Sequence, residues 1–579
     1  MDESLFKKLP VKVQKKSGFD LSFQNLLTTK VGTITPVLCE ELMPNETVHL
    51  GAAIQAQLPP LASDTFMRCD LKYEAFFVPH RLVMKGYEEW LVPSSKYGAT
   101  VTSANTPYIP TVTLTTAEMM PQTLADYLGV KSNLPRVPST GASTYGITSA
   151  ATIAVNALPF LAYHKIYDDW YRNTLVQKPI YQADGSTVQN SSANWYSAAR
   201  SQIVVPNLQV GYMLTRTDGS STSAGGSKQF ADGVKVTDLR QRNFGIDRFT
   251  SATPSAQNGD EQGLKMTVSD STAGFTIGQL RAANAIQQWL ERNNLAGNRL
   301  VDYVKANYGA NLSDGIAQRS LLLGSGQFTV FSKGIYQTTQ EADNSVAGNN
   351  PFMSVGAKYG SAFASGSENI VDNFTAAEPG YLFVLCTLVP KVTYSTGIDR
   401  KLIRYMGNNS RTDLANPMLQ GTGNEPIWTS ELSTDDVFYE QGLTGEHQIF
   451  GYQERYADWK SKHDEVHGLL REKSSTISPA SSADTETNLI GSLSSFALQS
   501  SFGAGVKPEI SSSFLQIPTT YLDNVAAVEG DVSKYGCWID SYFDFRVSMP
   551  LARYSMPTLQ DPAYEHGEDV VLDRGGKRL

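Results

Sequence analysis

The stretch Asp64–Pro79, DTFMRCDLKYEAFFVP, decides the fold. Met67, Cys69, Leu71, Tyr73, Ala75 and Phe77 are apolar, and Arg68, Asp70, Lys72 and Glu74 lie between them. Side chains alternate across a strand with a period of two, so one face suits a core and the other suits solvent or a partner. Met67 to Phe77 would extend about 36 Å at strand rise. Only Phe76 breaks the alternation, just before Val78-Pro79 ends it. A strand this long and regular predicts a large antiparallel sheet rather than a small enzyme domain.

Two further stretches support that reading. Phe543, Phe545, Val547 and Met549 alternate with Tyr542, Asp544, Arg546 and Ser548 near the far end of the chain. Tyr381–Tyr394, YLFVLCTLVPKVTY, is apolar at both parities until Pro390, which predicts a strand covered on both faces. Strong strands at both ends with long loops between them suit a Greek-key barrel or jelly roll, in which the first and last strands belong to one domain.

Composition agrees. The chain has 579 residues, 41% hydrophobic and only 18% charged, with 46 Gly and 27 Pro. Such a composition favours a loop-rich, all-β protein. The length can bury one very large core or about two to four ordinary ones. The net charge of −9 does not mark a nucleic-acid binder. Cys39, Cys69, Cys386 and Cys537 are too far apart for a redox or zinc motif, and buried free thiols are expected, as suits a reducing cytoplasm. The Lys-rich start lacks the apolar core of a signal peptide. Tyr381–Pro390 is the longest apolar run and is too short to span a bilayer as a helix.

Residues 1–30 read as a basic N-terminal arm carrying Lys7, Lys8, Lys12, Lys15 and Lys16. Lysines there could contact phosphates without reading sequence, or simply sit in solvent. Residues 31–579 read as a single domain with insertions. Val31–Leu58 reads as extended chain with turns, and Lys85–Val92 as a helical turn. Ser94–Ala150 reads as a long loop region, and residues 181–233 and 332–373, rich in Gly, Ser and Asn, as surface loops. Pro159–Asn173 changes to helical period through Phe160, Tyr163, Tyr167 and Trp170. Leu280–Tyr308 also reads as helix, interrupted near Asn293-Asn294 and Gly297.

Searches for chemistry find little. No phosphate-binding loop, zinc-protease helix or nucleophile elbow is present. Asp168 and Asp169 are adjacent, so on a helix they diverge by about 100° and do not form a facing acid–base pair. His463 and His467 in HDEVH would share a helix face, but no third metal ligand accompanies them. No catalytic residue, metal or cofactor is therefore assigned.

From FFVPHRLV (Phe76–Val83) the chain resembles the major capsid proteins of the microviruses, in their gokushovirus-like branch. The similarity recurs in order through FDLSFQNLLTT (Phe19–Thr29), GTITPVLCEELMPNE (Gly32–Glu46) and ALPFLAYHKIYDDWYRN (Ala157–Asn173). It continues through RNFGIDRFTSATPSAQNG (Arg242–Gly259), LRAANAIQQWLERN (Leu280–Asn293), FGYQERYADWKSKHDEV (Phe450–Val466) and RYSMPTLQ (Arg553–Gln560). The resemblance implies a viral eight-stranded antiparallel jelly roll with long inserted loops and a few short helices. It implies a structural, non-enzymatic coat protein in a T=1 icosahedral shell of sixty copies around circular single-stranded DNA. It further implies a small basic DNA-binding virion protein as partner, a host surface receptor, no membrane insertion, and assembly of the virion in the bacterial cytoplasm. Within such a shell the five lysines become candidate DNA contacts. The polar face of the opening strand would meet genome, solvent, an inserted loop or a neighbouring subunit.

One departure stands out. Many gokushovirus-like coats carry a long insertion after the segment matching SATPSAQNG, whereas here only Asp260–Gln279 precedes LRAANAIQQ. Tyr181–Gly233 is an alternative place for an outward host-contact loop. A host-recognition or glycan-binding β-rich spike is the alternative function, suggested by the Gly/Ser/Asn/Tyr-rich loops. A β-scaffold hydrolase lacks any catalytic set.

Overall fold

The computed structural model describes residues 16–61, 68–84, 87–91, 109–131, 152–178, 180, 214–215, 221–222, 234–254, 277–296, 299–336, 358–394, 397–403, 424–432, 449–465, 467, 510–519, 522 and 536–551. The early strands are β1 (Ser17–Asp20), β2 (Phe23–Thr29), β3 (Thr35–Leu42), β4 (Thr47–Gln57) and β5 (Cys69–Pro79). Short strands β6 (Thr111–Thr115), β7 (Thr152–Asn156), β8 (Leu214–Thr215) and β9 (Ser221–Thr222) follow. The chain returns to the barrel with β10 (Leu321–Tyr336), β11 (Lys358–Thr375) and β12 (Gly380–Pro390). The hairpin strands β13 (Asn424–Trp428) and β14 (Ile449–Glu454) precede β15 (Cys537–Met549). The longer helices are α1 (Leu158–Ile166), α2 (Ile277–Ala296) and α3 (Leu300–Tyr308).

One curled, wholly antiparallel sheet runs β1-β15-β4-β11-β10-β5-β12-β3, with β2 also on β15. Strand β10 turns the sheet: Leu321–Val330 pairs with β5, and Phe331–Tyr336 pairs with β11. The pairs β3/β4, β4/β5 and β11/β12 follow one another in the chain but lie in different halves of the sheet. This is jelly-roll connectivity. The β3–β4 corner is tight: Asn45 takes φ 67°, and the Glu46 carboxylate accepts the Met43 N–H at 2.9 Å. Within the part of β10 paired with β5 the register shifts between Leu322 and Gly324, and a Cβ on Gly324 would lie 1.9 Å from the Ile370 carbonyl oxygen. Only glycine allows that approach.

The alternation in β5 is observed. Cys69, Leu71, Tyr73, Ala75 and Phe77 point into the barrel with the inward residues of β4 and β15, Leu50, Ile54, Ile539, Phe543 and Phe545 among them. The ring of Tyr73 meets Phe328 edge-on at 5.9 Å between centroids. Burying each such side chain contributes about 1.5–3 kcal/mol. Every residue of β12 is buried, as its two apolar faces predict. The outer face of β5 and β12 carries a second core, in which Phe76, Val78, Phe383 and Leu385 pack under α1. Phe76 breaks the alternation because it anchors this outer layer. A third cluster gathers Phe249, Tyr394, Ile427 and Phe450 beside the β13–β14 hairpin.

Three expectations need correction. The arm assigned to residues 1–30 is strand from Ser17: β1 and β2 both pair with β15, since Phe19, Phe23 and Leu27 pack on the barrel core. The loop assigned to 332–373 is strand at both ends, through Tyr336 and from Lys358. Small residues there pass close to neighbours, as Gly366 does against the Phe328 ring, so composition hides a strand. The 94–150 loop region contains β6 and a short helix, Leu124–Tyr127. The intervening 337–357, and 181–233 apart from β8 and β9, lie outside the described residues. Helical period is observed at α1 and Tyr87–Leu91, and the longer helical stretch divides between Ala296 and Leu300, past Asn293-Asn294.

Candidate functional site

The two outer faces of the barrel are met by different segments of the chain. The face formed by β5 and β12 is covered by inserted segments of the same chain. Arg242 donates to both oxygens of Glu74, at 2.6 and 2.9 Å, and its guanidinium lies 5.0 Å over the Tyr171 ring. Tyr171 Oη also donates to Glu74. Burial pushes the Glu74 carboxyl up, but the Arg242 guanidinium outweighs it and holds the group below the ordinary glutamate value. Asp70 is buried as well; it accepts from Thr329 Oγ1 at 3.2 Å and lies 3.4 Å from Lys391 Nζ. An inserted loop, rather than solvent, therefore meets Glu74.

After α1 the chain makes a π-helical turn, Tyr167–Tyr171. It separates the adjacent acids as the sequence anticipates. Asp168 pairs with Arg172 at 2.5 Å, whereas Asp169 pairs with Lys165 at 2.6 Å and accepts from Ser320 N and Oγ at 2.9 and 2.8 Å. Asp168 ties the insert to itself, and Asp169 ties it also to Ser320, just before β10. Buried His164 accepts from Arg240 Nε through Nδ1 and meets the Val236 carbonyl through Nε2, at 2.8 Å each. Burial, with Arg240 beside it, keeps the imidazole neutral. These are fastenings; none faces an open cleft with a nucleophile.

The third cluster carries a buried ionic clamp. Glu431 binds Arg248 and, at 3.0 Å, Arg400; Arg400 lies 3.3 Å from Glu425. Next to it a cavity of about 590 Å³ is lined by Arg248, Asp399, Lys401, Trp459, His463 and Glu465, among others. The expected shared helix face of His463 and His467 is corrected here. The helix Ala457–Lys460 ends before them, and the two imidazoles approach opposite oxygens of Glu465, at 3.6 and 3.1 Å. Among the described residues no group of three or more His, Cys, Asp or Glu is placed to hold a metal ion. Cys69, Cys386 and Cys537 are buried free thiols, raised by desolvation, while Cys39 is partly buried.

Of the five lysines of the arm, Lys16 alone is described. It is exposed, and its Nζ donates to Thr47 Oγ1 at 3.3 Å, at the rim of the barrel. Lys7, Lys8, Lys12 and Lys15 lie outside the described residues.

On the opposite outer face, formed by β15, β4 and β11, Gln55, Gln57, Trp538 and Asp540 line a cavity of about 960 Å³ together with Gln122, Asp126 and Lys131. Trp538, Tyr542 and Phe363 stand on this face and are about half exposed. Sequence reasoning found the alternation of β15 but not this surface, because its residues come from strands more than a hundred positions apart.

A large antiparallel jelly roll with long segments inserted between its strands is the architecture of the viral coat class. The chain belongs to the Phage_F family, described as capsid protein (F protein), whose model matches residues 8–559. It is 25% identical over 637 residues to capsid protein VP1 of Chlamydia phage 1, covering 96% of this chain and 97% of that protein. It is likewise 25% identical over 578 residues to capsid protein VP1 of Bdellovibrio phage phiMH2K, covering 95% and 97%. With capsid protein VP1 of Spiroplasma virus 4 the identity is 23% over 595 residues, 94% and 95% of the two chains. The chain is thus a major capsid protein of the microvirus type, structural rather than enzymatic, and a spike-like recognition role is not favoured. It self-associates as part of the virion. Among the described residues no helix is long and apolar enough to cross a membrane.

Proposed function

We propose that sixty copies of this chain close into a T=1 icosahedral shell around a circular single-stranded DNA genome, assembled in the cytoplasm of the bacterial host. The end-to-end match of residues 8–559 to the capsid family carries this reading. Loops projecting from each barrel bury surface against symmetry mates in heterologous contacts that close around five- and three-fold axes. With a net charge of −9 the chain cannot neutralise a packaged genome by itself. A small basic virion protein therefore shares that task, and Lys7, Lys8, Lys12, Lys15 and Lys16 supply inward phosphate contacts. Residues 181–233 present an outward loop to a host surface receptor.

Electron microscopy and light scattering of the expressed protein test the shell: closed particles of one size are expected, and a persistent monomer or trimer under virion-preserving conditions overturns it. Changing the five lysines to alanine tests the arm. Reduced genome retention with a shallower salt dependence is expected; unchanged retention rejects the assignment. Deleting Ser220–Lys228 tests the loop, and intact particles that attach to cells as before reject it.

A further inference from the structure

The cavity of about 960 Å³ on the β15 face is organised around one tryptophan. Register places Thr28 of β2 and Gln57 of β4 on either side of Trp538. Directly opposed residues of a sheet point to the same side, so the three form one row across it. Gln122, on the segment that walls the cavity, extends that row: its Nε2 donates to Thr28 Oγ1 at 2.9 Å. The indole of Trp538, 45% exposed, thus stands between two carboxamides. Two positions along the strands, about 7 Å away, the next row sets Asp540 opposite Gln55. Gln24 holds Asp540 in place, its Nε2 donating to both carboxylate oxygens at 2.8 and 2.9 Å. The Oε1 of Gln122 is buried and accepts no hydrogen bond within the protein. A buried acceptor of this kind is completed by a donor from outside the chain, a ligand hydroxyl or a water.

The chemistry of the walls selects the ligand. Of the described lining residues only Glu40, Asp126, Asp540 and Lys131 are charged, three acids against one base. Such walls do not attract a polyanion, and single-stranded nucleic acid stacks on aromatic rings in positively charged grooves instead. A carboxamide both donates and accepts hydrogen bonds, and so does a hydroxyl. A pyranose ring has an apolar C–H face and a rim of hydroxyls. Trp538 offers a flat apolar platform for the face. Gln57 and Gln122 flank that platform, and Gln55 and Asp540 lie one row further on, where the rim of the ring falls. An aromatic surface with a few placed polar groups, in a cavity of this size, is the usual make-up of a small-molecule site.

We propose that this cavity binds a neutral pyranoside, stacked on Trp538 and held through its hydroxyls by Gln57, Gln55, Asp540 and Gln122. This goes beyond the capsid reading and does not depend on it, since binding is read on the full-length protein whether or not shells form. Saturation-transfer NMR is recorded with the methyl glycosides of glucose, galactose, mannose and N-acetylglucosamine, with oligothymidylate and spermidine as competitors. Saturation transfer to the ring protons of at least one glycoside is expected, with a dissociation constant on the order of 1 mM. Trp538→Ala should weaken it at least about tenfold and Gln57→Leu several-fold, with circular dichroism unchanged. If Trp538→Ala does not fold, Gln57→Leu, at an exposed position, decides alone. No transfer to any of the four glycosides, or transfer undiminished in the folded variants, overturns the proposal. Displacement of the sugar by oligothymidylate or spermidine at equal concentration also overturns it, assigning the cavity to nucleic acid or to a polycation.

Discussion

Tyr73 Oη and Ser541 Oγ lie 2.8 Å apart in the barrel interior, 468 positions apart in the chain. They join β5 to β15, one strand from each half of the curled sheet, and both are fully buried. The bond is possible because an inward tyrosine must find a partner for its hydroxyl, and a small serine opposite leaves room for it. Replacing Tyr73 by Phe removes one partner and leaves the other buried. A loss of about 1–2 kcal/mol is expected, read as a lower urea midpoint of the unassembled subunit with an unchanged slope.

The Glu74–Arg242 pair fastens the insert to the outer face of β5, with both side chains largely buried. Arg242→Ala strands a buried carboxylate and is expected to cost about 3–5 kcal/mol in chemical denaturation at neutral pH. The sign of its pH dependence follows from Glu74, whose carboxyl is held below the ordinary value. The pair's contribution is fully present above that ordinary value and is lost as the pH falls through the lower, folded one. The gap between wild type and variant should therefore narrow in acid. A gap that stays constant would assign the loss to packing against Tyr171.

His80, just after β5, is also held deprotonated, here in its neutral form. It is buried against Tyr87 and Tyr381, its Nδ1 is 3.0 Å from Tyr87 Oη, and its Nε2 makes no hydrogen bond, with Glu41 3.7 Å away. Burial lowers its pKa from 6.5 to about 4. The unfolded chain then binds the proton more readily throughout that window. Stability falls as the pH drops from 6.5 towards 4, by about 3 kcal/mol for this one group. His80→Gln should flatten the decline in melting temperature between pH 7 and pH 4.5; an identical decline in the variant would dismiss His80 as its source.

Gly324 sits at the register shift within the part of β10 that pairs with β5. Gly324→Ala would force its methyl group onto the Ile370 carbonyl, 1.9 Å away, and the backbone must shift. A cost of about 1–3 kcal/mol is expected. Gly315→Ala, with open space around its Cβ, is the control and should leave the melting temperature nearly unchanged.

Local sequence determined the elements that depend on side-chain period. The alternation of β5 and β15, the two-sided apolarity of β12 and the helical spacing of α1 are all legible because one residue's neighbours along the chain report which faces it must bury. The order of family motifs made the coat-protein class legible as well. Strands built from small residues were not: β11 reads as a loop because it is rich in Gly and Ser, and the close approach of Gly366 to the Phe328 ring of β10 is not encoded in composition. Nor did the basic run at the start reveal β1 and β2, whose pairing depends on β15 more than five hundred residues away. Only the tertiary structure decided that Arg242 covers the polar face of β5, and only it brought Trp538, Phe363 and Phe331 into one row across the sheet. The physical reason is the same in each case. Which side chains a strand buries is a local property, but what lies against them is set by chain crossings that bring distant segments into register.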